Sequence, residues 1–106
     1  MRGTIMAHFA ELDSNSIVLR VIVIDNSILL NDNNEEEEQR GINECIRILG
    51  TSNTSWKQTS YNNSFRGSYA RPGYKYDEEL DIFIPPGYKY DEELDIFIPP
   101  FLEDPL

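Results

Sequence analysis

The chain has one cysteine and one histidine, and those two scarcities remove much of the chemistry open to a small protein. With Cys45 alone, no intrachain disulfide and no cysteine metal cluster can form, a usage that fits a reducing compartment. With His8 alone there is no histidine dyad to hold a metal or relay a proton. Long apolar runs are missing as well. None approaches the roughly 20 residues that a membrane helix needs, and Met1-Arg2-Gly3-Thr4-Ile5 lacks the apolar stretch of a signal peptide. The expectation is a soluble chain with no membrane partner, in which Met6 is a second credible start and residues 1–5 are a leader. A Gly-rich phosphate loop, a nucleophile elbow, zinc-ligand spacing and a dinucleotide fingerprint are all absent, so the reading is a non-enzymatic protein with no cofactor.

What the chain does have is a repeat. Residues 73–86 and 87–100 are the same fourteen letters, Gly-Tyr-Lys-Tyr-Asp-Glu-Glu-Leu-Asp-Ile-Phe-Ile-Pro-Pro, in direct succession. Neighbouring copies that fold in different surroundings drift apart, so perfect identity indicates recent duplication or deliberate engineering. Arrays of this kind need about three units before neighbours bury a continuous face, and here there are two. With 106 residues there is room for one domain. If the chain from residue 87 onward is an extension, about 85 residues must build the core, a size at which burial is marginal and oligomerisation helps. The expected division is a leader over 1–5, one domain over 6–86, and a duplicated hairpin with an acidic tail over 87–106. The net charge of −10 is uneven: −2 over residues 1–72 and −8 over 73–106. Such acidity disfavours general attraction to phosphate backbones and anionic membranes.

Period and punctuation place the elements. Residues 7–12 and 17–25 flank the turn-forming Asp13-Ser14-Asn15-Ser16 and read as a β-hairpin. The second strand is apolar on both faces, with Leu19, Val21 and Val23 on one and Val18, Ile22 and Ile24 with Arg20 on the other, which predicts a central strand covered on both sides. Ile28-Leu29-Leu30 interrupts a polar connection and is placed to cross the core edge. Ile42, Cys45, Ile46 and Leu49 recur at helical spacing before Gly50, predicting a helix over about 36–49, and the acids at its start and Arg40 and Arg47 later suit its dipole. Trp56 to Tyr61 alternates like a strand. Each repeat reads as a small hairpin, with Tyr74 and Tyr76 on one arm, Leu80, Ile82 and Ile84 on the other, the acids at the bend and the prolines as terminators. The fold class expected is α+β: a small antiparallel sheet with one amphipathic helix, in the order β-β-α-β-β, followed by Tyr-rich hairpin repeats. The first repeat is expected to pair with the sheet edge near Trp56 to Tyr61.

Several groups with chemical potential have ordinary explanations. His8 reads as a strand-surface residue, and Cys45 lies on the apolar stripe of the helix, where inert buried cysteines sit. The stretch Asp32 to Glu38 has the composition of a calcium loop, but it lacks the glycine at the sixth position and an aligned carboxylate at the twelfth; it reads as a solvated helix start. The acid clusters Asp77, Glu78, Glu79, Asp81 and Asp91, Glu92, Glu93, Asp95 read as solvated bends rather than paired hydrolytic carboxylates. Asn53-Thr54-Ser55 and Asn62-Asn63-Ser64 match glycosylation sequons by chance. One segment stands out. Between Glu44 and Asp77 there is no acid, while Arg47, Lys57, Arg66, Arg71 and Lys75 carry five positive charges. These are interleaved with Trp56, Tyr61, Phe65, Tyr69, Tyr74 and Tyr76. Cations beside aromatic faces suit single-stranded nucleic acid or sugars. The competing reading, which the net acidity favours, is that this stretch docks the acidic repeats of its own chain or a neighbour's.

The runs Met6-Ala7-His8-Phe9-Ala10-Glu11-Leu12-Asp13, Val18 to Asn26, Trp56-Lys57-Gln58-Thr59-Ser60-Tyr61-Asn62, Phe65-Arg66, Tyr69-Ala70, Gly73 to Asp77 and Phe83-Ile84-Pro85-Pro86 resemble small uncharacterised proteins of marine tailed cyanophages. The resemblance covers about residues 6–86 and implies a viral setting, in host cytoplasm or virion, without implying an activity. In those proteins the chain beyond the first Pro-Pro continues with other aromatic and proline residues; here the verbatim copy stands. The functional expectation is a phage accessory or virion-associated protein acting by self-association or contacts with another phage protein. The alternative is a single-stranded nucleic-acid-binding protein using Trp56, Lys57, Tyr61, Phe65, Arg66, Tyr69, Arg71, Tyr74 and Tyr76.

Overall fold

The computed structural model describes residues 6–50, 53–62 and 64–99, and the fold is α+β. Strands β1 (Met6–Leu12) and β2 (Val18–Asp25) lead through a 3-10 turn at Asn26–Leu29 to helix α1 (Glu38–Leu49) and strand β3 (Ser55–Thr59). Two short hairpins follow, β4 (Lys75–Asp77) with β5 (Ile82–Ile84), and β6 (Lys89–Asp91) with β7 (Ile96–Ile98). The proposed leader, residues 1–5, and the acidic tail from residue 100 onward lie outside the described residues.

The main sheet is antiparallel in the order β2-β1-β3. The central strand is therefore β1, not β2. Side-chain size explains the difference: β1 carries Ala7, Phe9 and Ala10, all buried, and small residues let both layers approach the middle strand. The outer strand β2 leaves Leu19 and Val23 about half exposed. A bulge also breaks the alternation expected of β2. Glu11 faces Arg20 and Leu12 faces Val18, so Leu19 is the extra residue and Val18 turns to the opposite face from Ile22 and Ile24. The turn between the strands is organised by Asp13, whose Oδ1 accepts the amides of Asn15 at 2.8 Å and Ile17 at 3.0 Å.

Each face of the sheet has its own core. On one side Ala7, Phe9, Ile24 and Trp56 pack with Leu29 and Cys45, so the 28–30 segment does enter the core through Leu29. The helix approaches through Gly41 and Cys45 rather than along the broader stripe through Ile46 and Leu49, which stay partly exposed. Gly41 sits against the end of Phe9. A β-carbon there would lie 2.1 Å from Phe9 Cζ, so the glycine sets how closely the helix descends. Gly50 ends the helix as expected, at φ 76°, with its amide donating to Ile46 O at 2.7 Å.

On the other face Ala10, Leu12 and Val18 pack with Ala70 and with Tyr76 and Phe83 of the first repeat. The inward residue of the second arm is Phe83, which is fully buried, whereas Ile82 and Ile84 are half-buried. The expected Leu80-Ile82-Ile84 face gives way because Phe83 stands opposite Tyr76 in the hairpin register. The backbone dock also differs from the expected one at Trp56 to Tyr61. The first repeat bonds the start of β2 instead: Gly73 N donates to Val18 O at 2.8 Å, Val18 N to Tyr74 O at 2.8 Å, and Tyr76 N to Ser16 O at 2.9 Å. Its second arm is held by Phe83 N donating to Arg66 O at 2.9 Å.

Candidate functional site

The acid-free basic segment is assembled around Arg66. Its backbone is left-handed, at φ 57°, and its side chain runs under the first hairpin. Arg66 Nη2 donates to Glu38 Oε1 of the helix at 2.9 Å, Nε donates to Asp81 Oδ1 of the repeat at 2.8 Å, and Nη1 donates to Gln58 O at 3.0 Å. Gln58 N in turn donates to Glu38 Oε2 at 2.7 Å. Planar guanidinium geometry suits such forked pairing. Burial alone would raise the pKa of Glu38, but the hydrogen bonds from Arg66 and from the Gln58 amide outweigh it and lower it. The same balance lowers Asp81, whose Oδ1 also accepts the Tyr76 hydroxyl proton. Burial first, and then that carboxylate, push Tyr76 up to about 12.

The nine residues of the basic-aromatic reading divide among three environments. Trp56 and Tyr76 are buried, one in each core. Lys57 lies over the Tyr76 ring at 5.5 Å, and Tyr74 packs half-buried beside the same cluster. The remaining aromatics reach the surface together. Tyr61, 66% exposed, lies 5.5 Å from the His8 ring, and Tyr69 meets His8 edge-on at 5.6 Å. Arg71 lies over Tyr69 at 5.9 Å. Phe65 and Tyr61 border a shallow cleft of about 190 Å³. Desolvation lowers the pKa of His8 below its ordinary value.

Cys45 is fully buried, and burial raises its thiol to about 11, far from the thiolate a nucleophile requires. Asn31 organises the acidic stretch before the helix. Its Oδ1 accepts the amides of Asn33 at 2.8 Å and Glu35 at 3.0 Å. Among the described residues no three His, Cys, Asp or Glu side chains are gathered as metal ligands, and no helix is long and apolar enough to cross a membrane. The bend acids are turn-makers: Asp77 Oδ1 accepts Leu80 N at 3.0 Å, and Asp91 Oδ1 accepts Leu94 N at 3.1 Å.

The second repeat is more open than the first. Tyr90 and Phe97 stand opposite each other as Tyr76 and Phe83 do. In the first copy the amides of that pair point out of the hairpin and are taken by Ser16 and Arg66. In the second, the amides of Tyr90 and Phe97 find no backbone acceptor among the described residues. Leu94 is 66% exposed and Ile96 48%. Between the two hairpins lies an open groove of about 660 Å³ bordered by Asp77, Glu79, Asp91, Glu92 and Glu93. Reasoning from sequence placed the binding residues at 56–76 and expected the basic stretch to dock on the acidic repeats, as Arg66 does on Asp81, but it passed over Glu38, Tyr90 and Phe97 as partners. The acid-free run itself was the signal for Glu38, since a buried cation must find carboxylates from elsewhere in the chain.

No family model matches the chain, and no curated protein and no solved structure matches it.

Proposed function

We propose that this protein is a non-enzymatic interaction protein that self-associates or binds another protein through its second repeat hairpin. In the setting that the resemblance implies, it is a phage accessory or virion-associated protein. The observation that carries this reading is the pair of outward amides of Tyr90 and Phe97 beside exposed Leu94 and Ile96. Unpaired strand edges next to apolar side chains are templates for strand addition by another chain. A two-stranded hairpin is also marginal by itself in water, so pairing stabilises it. Light scattering across a concentration series tests this. The full chain is expected to assemble, and removing residues 87–106 is expected to give a folded domain of smaller assembly state. An unchanged assembly state would make the second copy a passive tail.

Single-stranded nucleic-acid binding has less to draw on. Trp56 and Tyr76 have no open ring face, Arg66 is held by two carboxylates, Lys57 lies over Tyr76 and Tyr74 is half-buried against the core, which leaves Tyr61, Phe65, Tyr69 and Arg71. Oligonucleotide binding at physiological salt is expected to be very weak or undetectable. Micromolar affinity that falls with salt and with Tyr61→Ala would reverse the order of the two readings.

A further inference from the structure

The sheet face opposite the helix is a docking site for the fourteen-residue repeat, and the chain contains two ligands for it. We propose that the second copy, Gly87 to Pro100, is an alternative occupant of the first copy's site, exchanging with it within one molecule. This goes beyond self-association and does not require it.

The argument rests on where the anchoring groups lie. The backbone bonds that hold the first copy come from Gly73, Tyr74, Tyr76 and Phe83, paired with Val18, Ser16 and Arg66. Its ion pair with Arg66 comes from Asp81, and its core contacts come from Tyr76 and Phe83. Every one of these groups lies inside the repeat, so the second copy carries each of them in the same order. The approach to each copy is matched too. Tyr74 N donates to Arg71 O at 3.0 Å across Pro72-Gly73, and Tyr88 N to Pro85 O at 3.1 Å across Pro86-Gly87. In both turns the glycine has positive φ, 91° and 77°. The hairpins themselves are already alike, with a left-handed aspartate at φ 54° in each. Deleting residues 73–86 or residues 87–100 produces one and the same sequence. The second copy, joined directly to Pro72, therefore is the first copy.

What separates the two states is the chain between the fixed residue Ala70, whose amide donates to Thr59 Oγ1 at 2.9 Å, and the docked glycine. Docking the second copy loops out fourteen further residues, and loop closure of that kind lowers the population only about tenfold. It also gives up the contact of Phe97 near Gly67. The first copy is the major occupant and the second a minor one, present in every molecule at high effective concentration.

Amide hydrogen exchange by NMR tests this on full-length chains diluted until light scattering reports a monomer. The Val18 amide is the reporter of occupancy, because it donates to Tyr74 O in the first state and would donate to Tyr88 O in the second. Slow alkylation of Cys45 reports that the helix side remains folded. Protection of Val18 is expected to be unchanged in Phe97→Ala, to fall only about tenfold in Phe83→Ala, where the second copy takes over, and to be lost when both are changed. Loss of Val18 protection in Phe83→Ala alone, unfolding of that variant as seen by rapid Cys45 alkylation, or protection that survives the double change would each overturn the proposal. Self-association is read separately, from the concentration dependence of the scattering mass, so either idea can fail without the other.

Discussion

Tyr76 and Phe83 in the first repeat hold their rings 5.1 Å apart at 52°, and Tyr90 and Phe97 in the second hold theirs 5.3 Å apart at 56°. In each copy the tyrosine hydroxyl donates to the aspartate that follows it by five residues. Burial, however, divides them: Phe83 is fully buried, whereas Phe97 is only half-buried and Leu94 and Ile96 of the second copy are exposed. Identical sequences thus build identical hairpins whose stability must differ, because the turn and the cross-strand pair are encoded locally and the covering layer is not. The host buries the first copy through Ala10, Leu12, Val18, Ala70 and Arg66, whereas it meets Phe97 of the second copy only near Gly67.

The comparison is sharpened most by truncating the buried ring where nothing can replace it. In a chain ending before residue 87, Phe83→Ala is expected to cost about 3–5 kcal/mol in chemical denaturation, whereas Phe97→Ala in the full chain should cost under about 0.5 kcal/mol. Substitutions in the host act on whichever copy is docked. Arg66→Ala removes the link among Glu38, Asp81 and Gln58 and is expected to cost about 2 kcal/mol, since it leaves a partly buried carboxylate unpaired. The same link carries a pH dependence. Glu38 has a folded pKa below its ordinary value of 4.5, so its contribution is fully present above that value and is lost as pH falls through the folded pKa. Acid unfolding of the native protein should therefore show a component that Arg66→Ala abolishes.

On the far face, Cys45→Ala is expected to cost about 1–2 kcal/mol without altering binding or assembly. A thiol that alkylates rapidly in the native protein would contradict its burial. The smallest change in stability, within about 0.5 kcal/mol, is expected for Leu94→Ser with Ile96→Thr. That pair should nevertheless reduce the scattering mass at high concentration, because it removes apolar surface from the open hairpin rather than from a core.

These regions also differ in how much could be read from sequence. The helix, the Asp13 turn and both hairpins were legible because their signals are local: Gly50 after a 3.6-residue period, turn-forming side chains, and in each repeat the acids at the bend with prolines closing it. Which strand lies at the centre was not legible. Val18 to Ile24 is apolar on both faces and reads as central, yet β1 takes that place because Ala7 and Ala10 admit both layers. The Leu19 bulge reverses Val18, and period alone carries no mark of it. The role of Gly41 shows only once Phe9 is placed against it. For the candidate site, the basic-aromatic run marked the right neighbourhood but not which side chains are open, since exposure is decided by the partners of Trp56, Tyr76 and Arg66 across the sheet. The difference between the two repeats is invisible by definition, as their letters are the same.

The most direct test of the account is the amide hydrogen exchange of Tyr76 against Tyr90 in the full-length protein, measured where light scattering reports a monomer. Tyr76 N donates to Ser16 O at 2.9 Å, and Tyr90 N has no backbone acceptor among the described residues. The expected result is protection at Tyr76 with Tyr90 exchanging about tenfold faster, the ratio being set by the minor population in which the second copy is docked. Equal protection at the two positions would contradict the account, because the second hairpin would then have a covering layer of its own.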